Sequence, residues 1–387
     1  MFPTRFVNVP DARARFGDRI DRLGAYLTRA DPLADAVIEA FAAMPPGAGW
    51  ALFRRAASEG IARLPEAPGA LQAFFAAVER VPLWVDDDLI DRGGAVLVRA
   101  GALGGIVLGM KSLVLGYASP VGNKPLVLSG RLEAQAGRRL NETARFVQAT
   151  IAAGGMRPRA PGWQLTLNVR LIHAQVRRMI HKSGAWNAEA WGAPINQHDE
   201  LGTSLLFSVV VLEGLRQLGM RIAPADGDAY MHLWRWSGWL MGLDPEILPA
   251  TEAEGRRLGD MIAATQAPPD EDSRRLTDAL LGAPVRDATT LHERTNAERL
   301  ARFSRAMCRF LIGDVTADRL GVEGTSWSYV VPFARRLVAS LELVRENVPF
   351  GNSSALWAGT RYWDRVIAQG LAGAAELKLP DRLARAA

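Results

Sequence analysis

The segment NVRLIHAQVRRMIH places Arg170, His173, Arg177 and His181 at steps of three, four and four. At about 100° per residue these four fall within roughly 80° of one helical face. Leu171, Ile172, Val176, Met179 and Ile180 surround them, so the helix is too apolar for a simple solvated element. An imidazole flanked by guanidiniums in an apolar setting suits a metal-bearing, anionic, otherwise greasy ligand. Haem has those properties: iron for His173, propionates for Arg170 and Arg177, and a porphyrin face for the aliphatic side chains.

A second group lies upstream in RRLNET, where Arg139 and Thr143 are four residues apart and share a helical face. The pattern predicts a helix from about Arg131 to Ala153. It should stop at Gly154-Gly155, with Pro158 and Pro161 delaying restart until about Gly162. Thr143 lies eleven residues before Gly154 and His173 eleven after Gly162. In an antiparallel hairpin both would then sit ~16 Å from the turn, level with each other. Directly packed helices are about 8–10 Å apart, so this pair must splay to admit a macrocycle.

Five blocks carry a family resemblance: VPLWVDDDLIDRGG (81–94), SGRLEAQAGRRLNETARFV (129–147), VRLIHAQVRR (169–178), PINQHDELGTSLLFS (194–208) and LWRWSGWLMGLDPEILP (233–249). In this order and spacing, over roughly residues 80–330, the chain resembles the haem-dependent rubber oxygenases (latex clearing proteins) and MpaB-type oxygenases. The resemblance implies an all-α fold with haem b, a proximal ligand at His173, essential residues at Arg139 and Thr143, and flanking arginines at Arg170 and Arg177. The better-known members of that family cleave carbon–carbon double bonds of isoprenoid chains with dioxygen, and an oxygenase acting on a small lipophilic, isoprenoid or other alkene-containing, intracellular substrate is expected here. Thr143 would donate a hydrogen bond on the distal side, and Arg139 would orient the distal helix or a propionate. Two positions depart from the pattern. Glu142 stands where some rubber oxygenases have a distal lysine, and serves here as a candidate acceptor or proton-transfer group. The stretch Gly122-Asn123-Lys124 lacks the acid suggested as a base in those enzymes. Another haem reaction, peroxidase-like or a dehydration, and a non-enzymatic helical carrier of lipophilic ligands are the alternatives.

The remaining sequence fits this frame. With 49% hydrophobic and 22% charged residues and no linker-like run, a single all-α domain over residues 1–387 is expected, its helical extensions packed on the core at 80–330. Segments such as LLFSVVVLEGLRQLG have helical period, and alternating β-branched runs are scarce. The lone Cys308 excludes an intrachain disulfide and a cysteine metal cluster, and reads as a buried thiol. Arg99 and Lys111 limit the most apolar stretch to eleven residues, too short to span a bilayer, so 100–118 is expected to be a glycine-rich core helix. The net charge of +5 comes with acids interleaved throughout and no basic tail, which argues against nucleic-acid binding. MFPTRFVNVPDARARFGDRI has no apolar signal core, and a cytoplasmic location is expected. Neither G-x-S-x-G nor H-E-x-x-H occurs. His181 is expected at the surface or a pocket rim, Asn196 as a helix cap, His198 as no ligand, and Trp234, Trp236 and Trp239 in the core or pocket wall.

Overall fold

The computed structural model describes residues 2–128 and 136–370. Among these residues every named element is helical, and strand-like pairing is confined to an isolated bridge between Phe6 and Gln266. The all-α expectation is met in one multi-helix body. Helix starts follow from capping chemistry. Asp31, Asp86 and Asn196 each accept a hydrogen bond from a first-turn amide, and Thr251 and Thr290 form reciprocal capping boxes with Glu254 and Glu293.

Two helices frame the centre. The threonine helix runs Ala136–Ile151, within the expected span; residues 131–135 lie outside the described region. Gly154 then takes φ 70°, the left-handed conformation that a glycine tolerates without strain. The histidine helix begins at Pro161, as its fixed φ favours, and runs to Ser183, with Gly184 as its C-cap. The two helices pack against each other. The fully buried indole of Trp163 lies beside Phe75, and Trp236 donates to Met156 O at 3.0 Å across the intervening turn.

The Asp87–Ala100 helix packs tightly against Pro224–Leu240 and also against the threonine helix. Glycines 93 and 94 permit this: a β-carbon at Gly93 would lie 2.3 Å from Ala229 O, and one at Gly94 2.2 Å from Ile151 O. The expected core helix over 100–118 is present as the helical stretch Ala102–Tyr117. Gly101 adopts φ 50°, the chain bends 89° between Asp87–Ala100 and Ala102–Tyr117, and Leu108–Ser112 forms a π-helical turn. Among the described residues no single helix is long and apolar enough to cross a membrane. Cys308 is buried in a smaller cluster with Val114, Leu280 and Leu281, and burial pushes its thiol up to about 12.

Candidate functional site

The cavity-facing side of the histidine helix is Val169, Ile172, His173 and Val176, an i, i+3, i+4, i+7 stripe. Opposite it, the threonine helix presents Leu140, Glu142, Thr143 and Phe146. The cavity between them is about 450 Å³, within the range for cofactor-sized ligands. Its further walls include Leu206, Phe207, Trp234, Met241 and Leu280, with Ser112 from the Ala102–Tyr117 stretch and Asn123 from the turn that follows it. Thr143 and His173 are thus brought to one cavity, as their equal distances from the turn predict.

His173 is about one-third exposed, and its Nδ1 lies 2.6 Å from Glu200 Oε1. At that ion-pair distance the N–H is nevertheless poorly aligned for a straight hydrogen bond, so the contact is read as a charge–dipole pairing. Glu200 is supplied by the Gln197–Phe207 helix, which Asn196 caps by accepting from Asp199 N at 2.9 Å. Asp199 also lines the cavity but is held by Arg5 at 2.7 and 2.8 Å and by the Asn196 side chain at 2.9 Å. Burial alone would raise the Asp199 carboxyl; the charge of Arg5 and its hydrogen bonds outweigh burial and hold it well below the usual carboxylate range. Asn123, where an acid was sought, is buried and donates to Tyr117 O at 2.6 Å.

The expected propionate clamp is not formed by Arg170 and Arg177. Arg170 makes two hydrogen bonds to Asp31, at 2.6 and 3.0 Å, donates to Leu240 O at 3.1 Å and lies over the Phe74 ring. Arg177 meets Asp35 at 2.8 Å and donates to Ile195 O at 3.0 Å. Neither arginine lines the cavity. The physical reason is His173's place on the helical wheel. It lies at one edge of the 80° basic arc, and the remainder of that arc faces the Pro32–Ala42 helix while the apolar stripe faces the cavity. Among the described residues no lysine or arginine lines the cavity, whereas Glu142, Asp199 and Glu200 do. Arg139 belongs to the threonine helix, but its side chain lies outside the described residues. His181 is exposed; His198 is buried and does not line the cavity. Trp234 is in the cavity wall, stacked on Phe207, whereas Trp236 is core and stacks on Trp239.

Sequence reasoning missed Glu200. Its signal was present in PINQHDE, but helix capping already accounted for the polar residues there. It also missed Asp31 and Asp35, which look like ordinary residues at a helix start.

Residues 91–343 match the family described as the catalytic domain of the ER-bound oxygenase mpaB/B′ and rubber oxygenase. The chain belongs to this family. It is accordingly an oxygenase, an oxidoreductase by class. The rubber oxygenase of Streptomyces sp. (strain K30) is 27% identical over 286 residues, covering 70% of this chain and 67% of that protein. The solved structure of latex clearing protein in its closed state covers 87% of this chain and 88% of its own, with a TM-score of 0.68 and 24% identity, a likeness of fold.

Proposed function

We propose that this oxygenase holds haem b in the cavity between Thr143 and His173 and uses dioxygen on a small lipophilic molecule carrying an alkene, of which isoprenoids are one class. The observation that carries the reading is the position of His173: it faces a cofactor-sized, largely apolar cavity while its Nδ1 meets Glu200. That would leave Nε2 as the donor nitrogen, and a small turn of the ring would align Nδ1 with Glu200 in the hydrogen bond by which a carboxylate fixes the tautomer and basicity of a metal-ligating imidazole. Haem iron needs a single imidazole from the protein as its proximal ligand, and His173 would supply it.

In this reading His173 holds the iron and Glu200 orients His173. Bound haem supplies the activation of dioxygen that no side chain here provides. Thr143, on the facing wall, donates a hydrogen bond from its hydroxyl, and Glu142 beside it accepts one or holds a proton. Phe146, Phe207 and Leu206 would exclude water and hold the alkene in the apolar part of the cavity. Arg139 is retained as a candidate partner for a propionate or as an organiser of the threonine helix. The proposal extends to a cytoplasmic setting, in which the buried Cys308 thiol would stay reduced.

One observation favours a second reading. A wall with three carboxylates and no cation among its described residues suits a neutral ligand better than a dianionic macrocycle, as expected of a carrier. The absorption spectrum of protein produced with ample haem decides between them. A Soret band and a pyridine hemochrome equivalent to about one haem b per chain are expected; their absence after reconstitution would leave the carrier. Oxygen uptake with candidate alkenes then separates oxygenation from a peroxidase-like or dehydratase reaction.

A further inference from the structure

The Val330–Asn347 helix turns its apolar side away from the protein. Phe333, Leu337, Leu341 and Val344 are 68%, 52%, 58% and 56% exposed, and Val330 and Val348 extend the row at either end. At about 100° per residue all six lie within roughly 80° of arc. The inward side carries the buried Val331 and the half-buried Val338. Gly219 packs there against the Arg335 carbonyl and Ala339, while Glu342 accepts from Arg221 N at 2.9 Å and pairs with Arg345. A continuous apolar row that no described residue covers marks an interaction surface. Tyr329, Phe350 and Trp357, nearby in the chain, are also strongly exposed.

Charge decides what covers this row. Arg336, Arg361 and Arg365 are exposed and have no carboxylate partner among the described residues. Arg361 lies over the Trp357 ring, 4.6 Å from its centroid. Of the nearby acids, Glu342 is engaged by Arg345 and Glu346 by Arg221 and Arg345, which leaves Asp364 as the exposed carboxylate without a cation among the described residues. A second copy seated here would set these arginines and their own copies against that one carboxylate per chain. An anionic lipid surface answers both features, taking aliphatic side chains into the acyl boundary, aromatics at headgroup level and guanidiniums onto phosphates. With five charged residues among its 18, the helix is suited to lying on a bilayer rather than crossing it.

We propose that the Val330–Asn347 row, flanked by Arg336 and supplemented by Trp357 and Arg361, docks the protein on an anionic lipid bilayer. This inference is independent of whether the cavity takes haem. The test is sedimentation of the full-length protein with phosphatidylcholine vesicles and with vesicles containing one part phosphatidylglycerol to three parts phosphatidylcholine. Binding to the anionic vesicles is expected to be at least about tenfold tighter, and to weaken as salt screens the arginines. Leu337→Glu with Leu341→Glu should lower that binding at least about tenfold while leaving the melting temperature and circular dichroism unchanged, since both positions are exposed. Arg336→Glu with Arg361→Glu should remove the preference for anionic over neutral vesicles. Failure of the wild type to sediment with either vesicle overturns the proposal, as does equal binding by the leucine variant. A dimer in light scattering that Leu337→Glu dissociates, with no vesicle binding, would assign the row to a second copy.

Discussion

An imidazole whose Nδ1 faces a carboxylate has one nitrogen left for other chemistry, and in His173 that nitrogen is Nε2. His173→Ala should therefore abolish tight haem binding, while His181→Ala and His198→Ala keep near-normal haem content. Haem-to-protein ratios after gel filtration check this, and equal loss in all three folded variants would defeat the assignment. Glu200→Gln should retain haem but weaken the electron donation that a carboxylate lends to the ligand. The iron–histidine stretching frequency should fall and the reduction potential rise; a change in melting temperature alone would reduce Glu200 to a structural contact. Thr143→Ala should keep haem and slow turnover by about ten- to hundredfold, the range for losing one hydrogen bond to a charged group. Unchanged oxygen consumption would remove Thr143 from the reaction. Thr143 and His173 were legible because both count from a turn marked by glycine and proline. Glu200 was not, because 27 residues separate it from His173 and only the packing of a third helix brings them together.

At the scale of elements, the Pro32–Ala42 helix and the histidine helix are joined by buried charge. Asp31 both caps its own helix, accepting from Ala34 N at 3.2 Å, and receives Arg170. The pair is about nine-tenths buried on both sides, which makes removal of one partner costly. Arg170→Ala should destabilise the protein by about 3–5 kcal/mol in urea unfolding, because it leaves the Asp31 carboxylate buried without its cation. The folded fraction should still bind haem at wild-type stoichiometry. A loss below about 1 kcal/mol accompanied by loss of haem would return Arg170 to the cofactor. The helical wheel located these arginines correctly on one face but did not say which neighbour that face meets. Periodicity fixes relative angle along a helix, whereas its absolute rotation depends on packing partners far away in sequence. The π-helical turn at Leu108–Ser112 shows the same limit: apolar composition predicted the helix over 100–118 but not this local change in its hydrogen-bond step.

For the whole molecule, the all-α architecture was legible because helical periods, capping residues and Gly/Pro stops recur along the chain and agree with one another. The cavity was less so, since its walls come from stretches as distant as Ser112 and Leu280. That assembly leaves about 450 Å³ inside an otherwise close-packed body, lined mostly by apolar side chains. A ligand that binds the folded protein and not the unfolded chain stabilises the folded state by an amount set by its concentration relative to its dissociation constant. Haem at a free concentration about 100 times its dissociation constant should add about 2.7 kcal/mol. Thermal unfolding of haem-depleted protein should therefore shift upward on loading, and the shift should grow with haem concentration. His173→Ala should lose most of that response while its haem-depleted form melts close to the haem-depleted wild type, because the ring is only partly buried and its removal opens little new space. An equal upward shift in the variant would mean that haem is held by the apolar walls alone. In that case the axial role of His173 would fall, although the cavity would remain the binding site.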